Sequence, residues 1–194
     1  MEEDYFQLGK IYHFVLNDSG QLLALILEEC SGNRYLAGNF DNKKIGLLDE
    51  NYNWKAKPEY DVIAKADNGC FYVWKGSKQG MINSDGKIIV NLEENILMNF
   101  LTDNLIHVNH KGRNISIIDI NGKEILKGEY CNVKMSMDGN YIILAVMSKE
   151  IPNAKLYGIA KKDGTIVKDC IYPKIIEDKD KFWLAGQFTD LNKI

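Results

Sequence analysis

Five times along its 194 residues the chain repeats one pattern: a short apolar run, a turn rich in Asp, Asn and Gly, then a second apolar run. The clearest copy is Gly80-Met81-Ile82-Asn83-Ser84-Asp85-Gly86-Lys87-Ile88-Ile89-Val90. Two apolar runs around such a turn read as a β-hairpin. The pattern returns in Gly158 to Val167 around Asp163-Gly164, and in Ser116 to Leu126 around Asn121-Gly122. Fainter copies run from Phe14 to Leu23 around Gly20, and from Gly46 to Trp54, where Tyr52 stands at the turn-glycine position. With Phe14, Gly46, Gly80, Ser116 and Gly158 as register marks, the steps are about 32, 34, 36 and 42 residues, the signature of a repeat architecture.

The rest of the unit repeats as well. Fourteen residues after the mark come Tyr60, Glu94, Tyr130 and Tyr172, each expected to open a further run such as Tyr60 to Ala64 or Tyr172 to Ile176. A polar turn follows, then an aromatic or aliphatic strand: Tyr35-Leu36-Ala37, Phe71 to Trp74, Leu105 to Val108, Tyr141 to Leu144, and Phe182-Trp183-Leu184. The longest copy carries extra loop from Ser148 to Ala154. Helical periodicity is weak throughout; the one ambiguous stretch, Asn91 to Leu101, is interrupted by asparagines. The expected fold is all-β, a single repeat domain over 1–194 made of about five four-stranded units. Two closures are open to it, a small five-bladed propeller or an open β-solenoid-like stack. Asp4 to Leu8 lies in phase to supply the last strand of the final unit, which favours the ring and would protect its edges.

Composition narrows the class. Hydrophobic residues at 45% and charged residues at 26% exclude wholesale disorder. A net charge of −3 argues against direct nucleic-acid binding, which calls for a basic stripe. Met1-Glu2-Glu3-Asp4 lacks the basic start of a secretory signal, and the longest apolar runs fall short of the ~18 residues that span a bilayer. Cys30, Cys70, Cys131 and Cys170 are widely spaced, as expected of reduced thiols in a cytoplasmic protein rather than of a disulfide framework or zinc site.

At this level the pattern resembles the WG-repeat (KWG-repeat) family of bacterial β-repeat proteins. The resemblance is carried by Tyr157-Gly158-Ile159-Ala160-Lys161-Lys162-Asp163-Gly164-Thr165-Ile166-Val167 followed by Tyr172-Pro173-Lys174-Ile175, and by Pro58-Glu59-Tyr60-Asp61-Val62-Ile63. No tryptophan precedes the mark, where His13, Ile45, Gln79, Ile115 and Tyr157 stand, and Phe14 and Ser116 replace the glycine. The resemblance implies an all-β interaction scaffold without a shared catalytic motif.

No catalytic or cofactor motif stands out, and no metal site is expected. His107 and His110, three apart on a strand, would point to opposite faces. The candidates are for partner binding. Asp67, Asp103, Asp138, Asp178 and Asp180 fall in corresponding turns, and with Glu28 and Glu29 would form an acidic rim on a closed ring. Aspartate also forms turns whatever it faces. Trp74 and Trp183, with Tyr35 and Tyr141, recur at strand ends as contact or core residues. Lys43, Lys44, Lys55, Lys75, Lys78, Lys111 and Arg113 occupy other turns. The expectation is a monomeric, non-enzymatic protein that binds a basic protein partner, such as an immunity-type inhibitor of a nuclease toxin. The alternative is a lectin-like propeller that binds a glycan or small ligand.

Overall fold

The computed structural model describes residues 13–16, 22–30, 34–38, 43–111, 114–178, 181–184 and 187–190. All regular structure among them is β. In chain order the strands are β1 (His13–Leu16), β2 (Leu22–Cys30), β3 (Arg34–Gly38), β4 (Ile45–Leu48), β5 (Trp54–Tyr60), β6 (Val62–Lys65), β7 (Cys70–Lys75), β8 (Lys78–Asn83), β9 (Ile88–Glu94) and β10 (Leu97–Thr102). They continue with β11 (Leu105–His110), β12 (Asn114–Asp119), β13 (Glu124–Gly128), β14 (Asn132–Met135), β15 (Tyr141–Met147), β16 (Lys155–Lys161), β17 (Ile166–Tyr172), β18 (Ile175–Asp178), β19 (Lys181–Leu184) and β20 (Gln187–Asp190).

Neighbours in sequence are neighbours in space, so each sheet is an antiparallel meander. The first sheet is β1 to β5, the second β6 to β9, the third β10 to β13, the fourth β14 to β17 and the fifth β18 to β20. These consecutive meanders, of five, four, four, four and three described strands, are the all-β repeat that the spacing predicts. Asn91 to Leu101 is strand on both sides of a turn in which Asn95 takes a left-handed φ of 57°. The ring-closing segment Asp4 to Leu8, the side chain of Glu28, and Asp180 lie outside the described residues.

The chain divides into two compact units, Met1–Glu94 and Asn95–Ile194. In the first, Leu36 and Leu47 pack against Ile63, Phe71, Val73 and Ile82 of the next sheet. In the second, the fourth sheet is buried on both faces. Ile142 and Leu144 of β15 face Leu105, Ile115 and Ile117, whereas Ile143 between them faces Phe182 and Leu184. That explains why Tyr141 to Met147 reads as a continuous apolar run: both sides of the pleat need apolar residues.

In the first sheet β2 to β5 make the four-stranded unit and β1, which carries Phe14, is an extra edge strand; counted so, each later mark lies on the third strand of its meander, and its glycine has a specific cause. In the first, second and fourth sheets the ladder between third and fourth strands shifts register at the mark, a bulge opposite Gly46, Gly80 and Gly158. A Cβ there would lie 2.5, 2.6 and 2.6 Å from the carbonyl oxygens of Ala56, Val90 and Lys168. In the third sheet Ser116 takes the position, and β12 and β13 stay in one register from Ile115 to Ile117. Without the bulge there is room for a side chain. The tyrosines also differ from expectation. Tyr60 and Tyr172 pair with Ile45 and Tyr157 and therefore end β5 and β17 rather than opening the next run.

The third-to-fourth-strand turn is built alike in four sheets. Asp49, Asn83, Asp119 and Lys161 each accept the backbone N–H three residues on, at 2.9–3.0 Å. That donor residue is left-handed: Tyr52 (φ 60°), Gly86 (76°), Gly122 (85°) and Gly164 (90°). Tyr52 thus adopts the glycine conformation at the position where the sequence pattern places it. Asp49, Asn83 and Asp119 also cap their turns with Oδ1, which accepts the N–H groups of Asn51 and Asn53, of Asp85 and Lys87, and of Asn121 and Lys123. These turns lock neighbouring sheets. Gly86 sits on the backbone of Lys55 in β5, and Gly164 on that of Ile125 in β13.

Candidate functional site

A four-stranded meander returns its first-to-second and third-to-fourth turns to the same end of the sheet. The first-to-second turns carry Asp67, Asp103 and Asp138, and Asp178 ends β18 at the same place in the fifth sheet; all four are exposed. In the C-terminal unit three of them belong to sheets packed in succession, the third, fourth and fifth. The middle turn is the most ordered. The Ser136 hydroxyl donates to Asp138, the N–H and amide of Asn140 donate to the same carboxylate, and the Tyr141 N–H donates to Ser136 Oγ at 2.9 Å. Burial pushes the Asp138 carboxyl up, but these donors outweigh it and hold the group below its ordinary range. Asp138 is therefore engaged in shaping its own turn.

The neighbouring fifth sheet fixes the tip. Glu177 accepts the Met137 N–H at 2.6 Å through one oxygen and pairs with Lys134 at 2.6 Å through the other, with only 9% of its side chain accessible. The result is an unusual presentation. Met137 is 82% exposed on a backbone tied at both flanks, with exposed Asp138 beside it and Asp103 and Asp178 at the adjoining turns. Sequence reading missed Met137 and Glu177. The signal was an apolar residue inside a turn, Ser136-Met137-Asp138-Gly139, where a polar one is usual.

The other candidate residues separate. Glu29, next to last in β2, is exposed, and its carbonyl accepts from Lys65. Trp74 is half-buried, its ring tilted on Tyr72 at 6.2 Å, and Trp183 is half-buried opposite Ile176. The strand-end aromatics do not occupy one register position. Relative to the residue paired with the mark, Tyr35 lies two before, Trp74 one after and Tyr141 three before. A period read from spacing blurs such offsets, because bulges move side chains between faces. No repeated aromatic site of the lectin kind results. Two lysines of the opposite turns are drawn into pairs: Lys44 with Asp61, and Lys75 with Glu59 at 2.8 Å.

The extra loop of the long repeat forms part of a groove of about 880 Å³ in the fourth sheet. Loop residues Lys149 to Ile151, strand residues Met147 and Leu156, and Cys131, Cys170 and Ile171 line it. Burial, with Asp169 and Cys131 nearby, pushes the Cys170 thiol up to about 11, so it is protonated and unreactive at neutral pH. His110 Nε2 lies 3.1 Å from Ser116 Oγ, while buried His107 Nε2 has no partner among the described residues and burial lowers its pKa. No cluster of three His, Cys, Asp or Glu side chains suited to a metal ion occurs among the described residues. No helix among them is long and apolar enough to cross a membrane.

No family model matches the chain, and no curated protein matches it. Among solved structures it is similar to a eukaryotic initiation factor, at 14% identity over 82% of this chain and 43% of that one, with a TM-score of 0.37. It is also similar to the WD40 β-propeller domain of Doa1, at 10% identity over 89% of this chain and 65% of that one, with a TM-score of 0.32. The chain thus spans less than two thirds of either. At these scores the fold assignment stands on the strand pairing itself.

Proposed function

We propose that this chain is a non-enzymatic, protein-binding repeat module of the WG-repeat kind, and that its partner is a basic protein. The observation that carries the reading is Met137, held outward amid the exposed acids at three successive turns. The tied backbone has little entropy left to lose on docking, and methionine is enriched at protein contacts. Surrounding carboxylates add attraction and speed encounter with a cationic surface. Nucleases carry such surfaces because they must hold a polyanion. The specific form of the proposal is therefore an immunity-type inhibitor of a basic toxin, acting in the cytoplasm and monomeric until bound.

The test is capture from native lysate on the immobilised chain, identification of the retained protein, and affinity measurement with variants. Met137→Asp should abolish binding, and Asp103→Lys with Asp178→Lys should weaken it at least tenfold. All three positions are exposed, so thermal midpoints should stay near that of the parent. Affinity should also fall with added salt. A captured partner that is acidic, or one indifferent to all three changes, would overturn the reading.

A further inference from the structure

We infer that the groove beside the Ser148 to Ala154 loop is a second docking surface, which takes an extended protein segment bearing a large apolar side chain flanked by Lys or Arg. It stands apart from the Met137 site. The 136–140 turn joins β14 to β15, whereas the loop joins β15 to β16, so the two lie at opposite ends of β15, ~20 Å apart for a seven-residue strand.

Three observations support a surface built for docking. The first is length: at seven residues the loop is the longest such connection, against six between β3 and β4 and three between β11 and β12. The corresponding connection in the second sheet is only Gly76-Ser77 between β7 and β8. The second is that the loop holds a defined shape while leaving its apolar residue unburied. Ser148 Oγ accepts the N–H groups of Glu150 and Ile151 at 3.2 and 3.0 Å, and the Ser148 N–H donates to the Ala154 carbonyl at 2.8 Å. Asn153 takes a left-handed φ of 61° to close it. Yet Ile151 stays 60% exposed, and Ile171 on β17 stays 64% exposed. Two exposed isoleucines lining one concavity mark a contact surface more than scattered surface apolars do.

The third observation is charge. The protonated Cys170 thiol leaves that part of the floor uncharged. Glu129, on the strand crossover, and Glu150, on the loop, supply acids to the lining against one lysine, Lys149. Asp169 adds a further exposed acid next to Cys170. An apolar floor between carboxylates suits a hydrophobic anchor flanked by cations. The groove opens to solvent past both isoleucines, and β17 is the last strand of its sheet among the described residues. A segment can therefore run on beyond the groove, which favours an extended chain.

The experiment is selection of a random-peptide phage library on the intact chain, followed by titration of a synthetic selected peptide. Enriched peptides should place Leu, Ile, Phe or Trp next to Lys or Arg. Ile171→Asp and Glu150→Lys should each weaken the peptide at least tenfold, and Met137→Asp should leave it unchanged. Ile151→Asp serves as a second variant on the loop, and all these sites are exposed enough to keep the fold. The proposal fails if no peptide is enriched over an unrelated protein, or if the enriched peptides are acidic. It also fails if affinity survives both Ile171→Asp and Glu150→Lys, or if Met137→Asp abolishes it. That last result would place the peptide on the Met137 site and leave the function proposed above intact.

Discussion

The two turns at one end of each meander use the same residues for different ends. The third-to-fourth turns, at Asp49, Asn83, Asp119 and Lys161, share one hydrogen-bond pattern and one left-handed residue. Two of them, through Gly86 and Gly164, rest on the backbone of the preceding sheet. Arg34 adds a clamp in the first unit, donating to the Ser84 carbonyl at 2.8 Å and pairing with Glu50 and Asp85. The first-to-second turns vary in length and detail and hold their acids out to solvent. Asp, Asn and Gly therefore carry stability in the first class and surface chemistry in the second. What the first class adds, at Gly86 and Gly164, is a turn seated directly on the neighbouring sheet's backbone, whereas the 136–140 turn meets its neighbour through the Glu177 side chain.

Glycine replacement should break this contrast most visibly. At Gly86 or Gly164 a Cβ would lie 2.1 Å from a backbone carbonyl oxygen as well as in a left-handed conformation. Gly86→Ala and Gly164→Ala should each cost about 3 kcal/mol, from overpacking and backbone strain together. Gly139, equally left-handed at φ 69° but with nothing within 4 Å, should cost about 1 kcal/mol as Gly139→Ala. Denaturant midpoints measure both. Equal losses would mean that the third-to-fourth turns do not lock the sheets.

Next in size is the cap. Asn83→Ala removes the acceptor of two backbone N–H groups and should cost about 1–2 kcal/mol by chemical denaturation. Asp103→Ala, on an exposed first-to-second turn, should stay within about 0.5 kcal/mol.

The smallest effect is on pH dependence. The N–H of Asn53 chiefly, with those of Asn51 and the Lys55 ammonium, holds the Asp49 carboxyl below its ordinary range despite its burial. A group whose pKa is lower folded than unfolded stabilises the fold above the unfolded value, about 4, and loses that contribution as pH falls through the folded value. Asp49→Asn keeps a carbonyl acceptor, as Asn83 does in the second sheet, but cannot titrate. Its thermal midpoint should lie below the parent's at pH 7 and fall less steeply below pH 4, so that the two curves converge at low pH. Parallel curves would show that the Asp49 charge contributes nothing to the turn.

Much of the fold was legible because hairpins are local. The five second-strand runs, from Tyr35-Leu36-Ala37 to Phe182-Trp183-Leu184, fall on β3, β7, β11, β15 and β19. The substitution of Tyr52 for glycine was visible too, and its backbone obeys the pattern rather than the residue type. Register was not legible. The tyrosines at fourteen residues past the mark looked like strand openers, yet Tyr60 and Tyr172 close strands, because bulges opposite Gly46 and Gly158 shift the ladder. The candidate site was legible in half. The acidic turns could be placed, but the engagement of Asp138 and the exposure of Met137 depend on Ser136 and on Glu177, about 40 residues away in the chain.

By itself, then, the sequence determined a β-repeat, its period, its turns and the copy with an inserted loop, since each follows from interactions within about 35 residues. Only the tertiary structure decided which glycines lie under a neighbour's backbone, which aspartates are tied into turns, and where apolar side chains remain exposed. Those properties depend on the packing of one sheet against the next. A turn motif written in five similar copies does not say which copies will be covered.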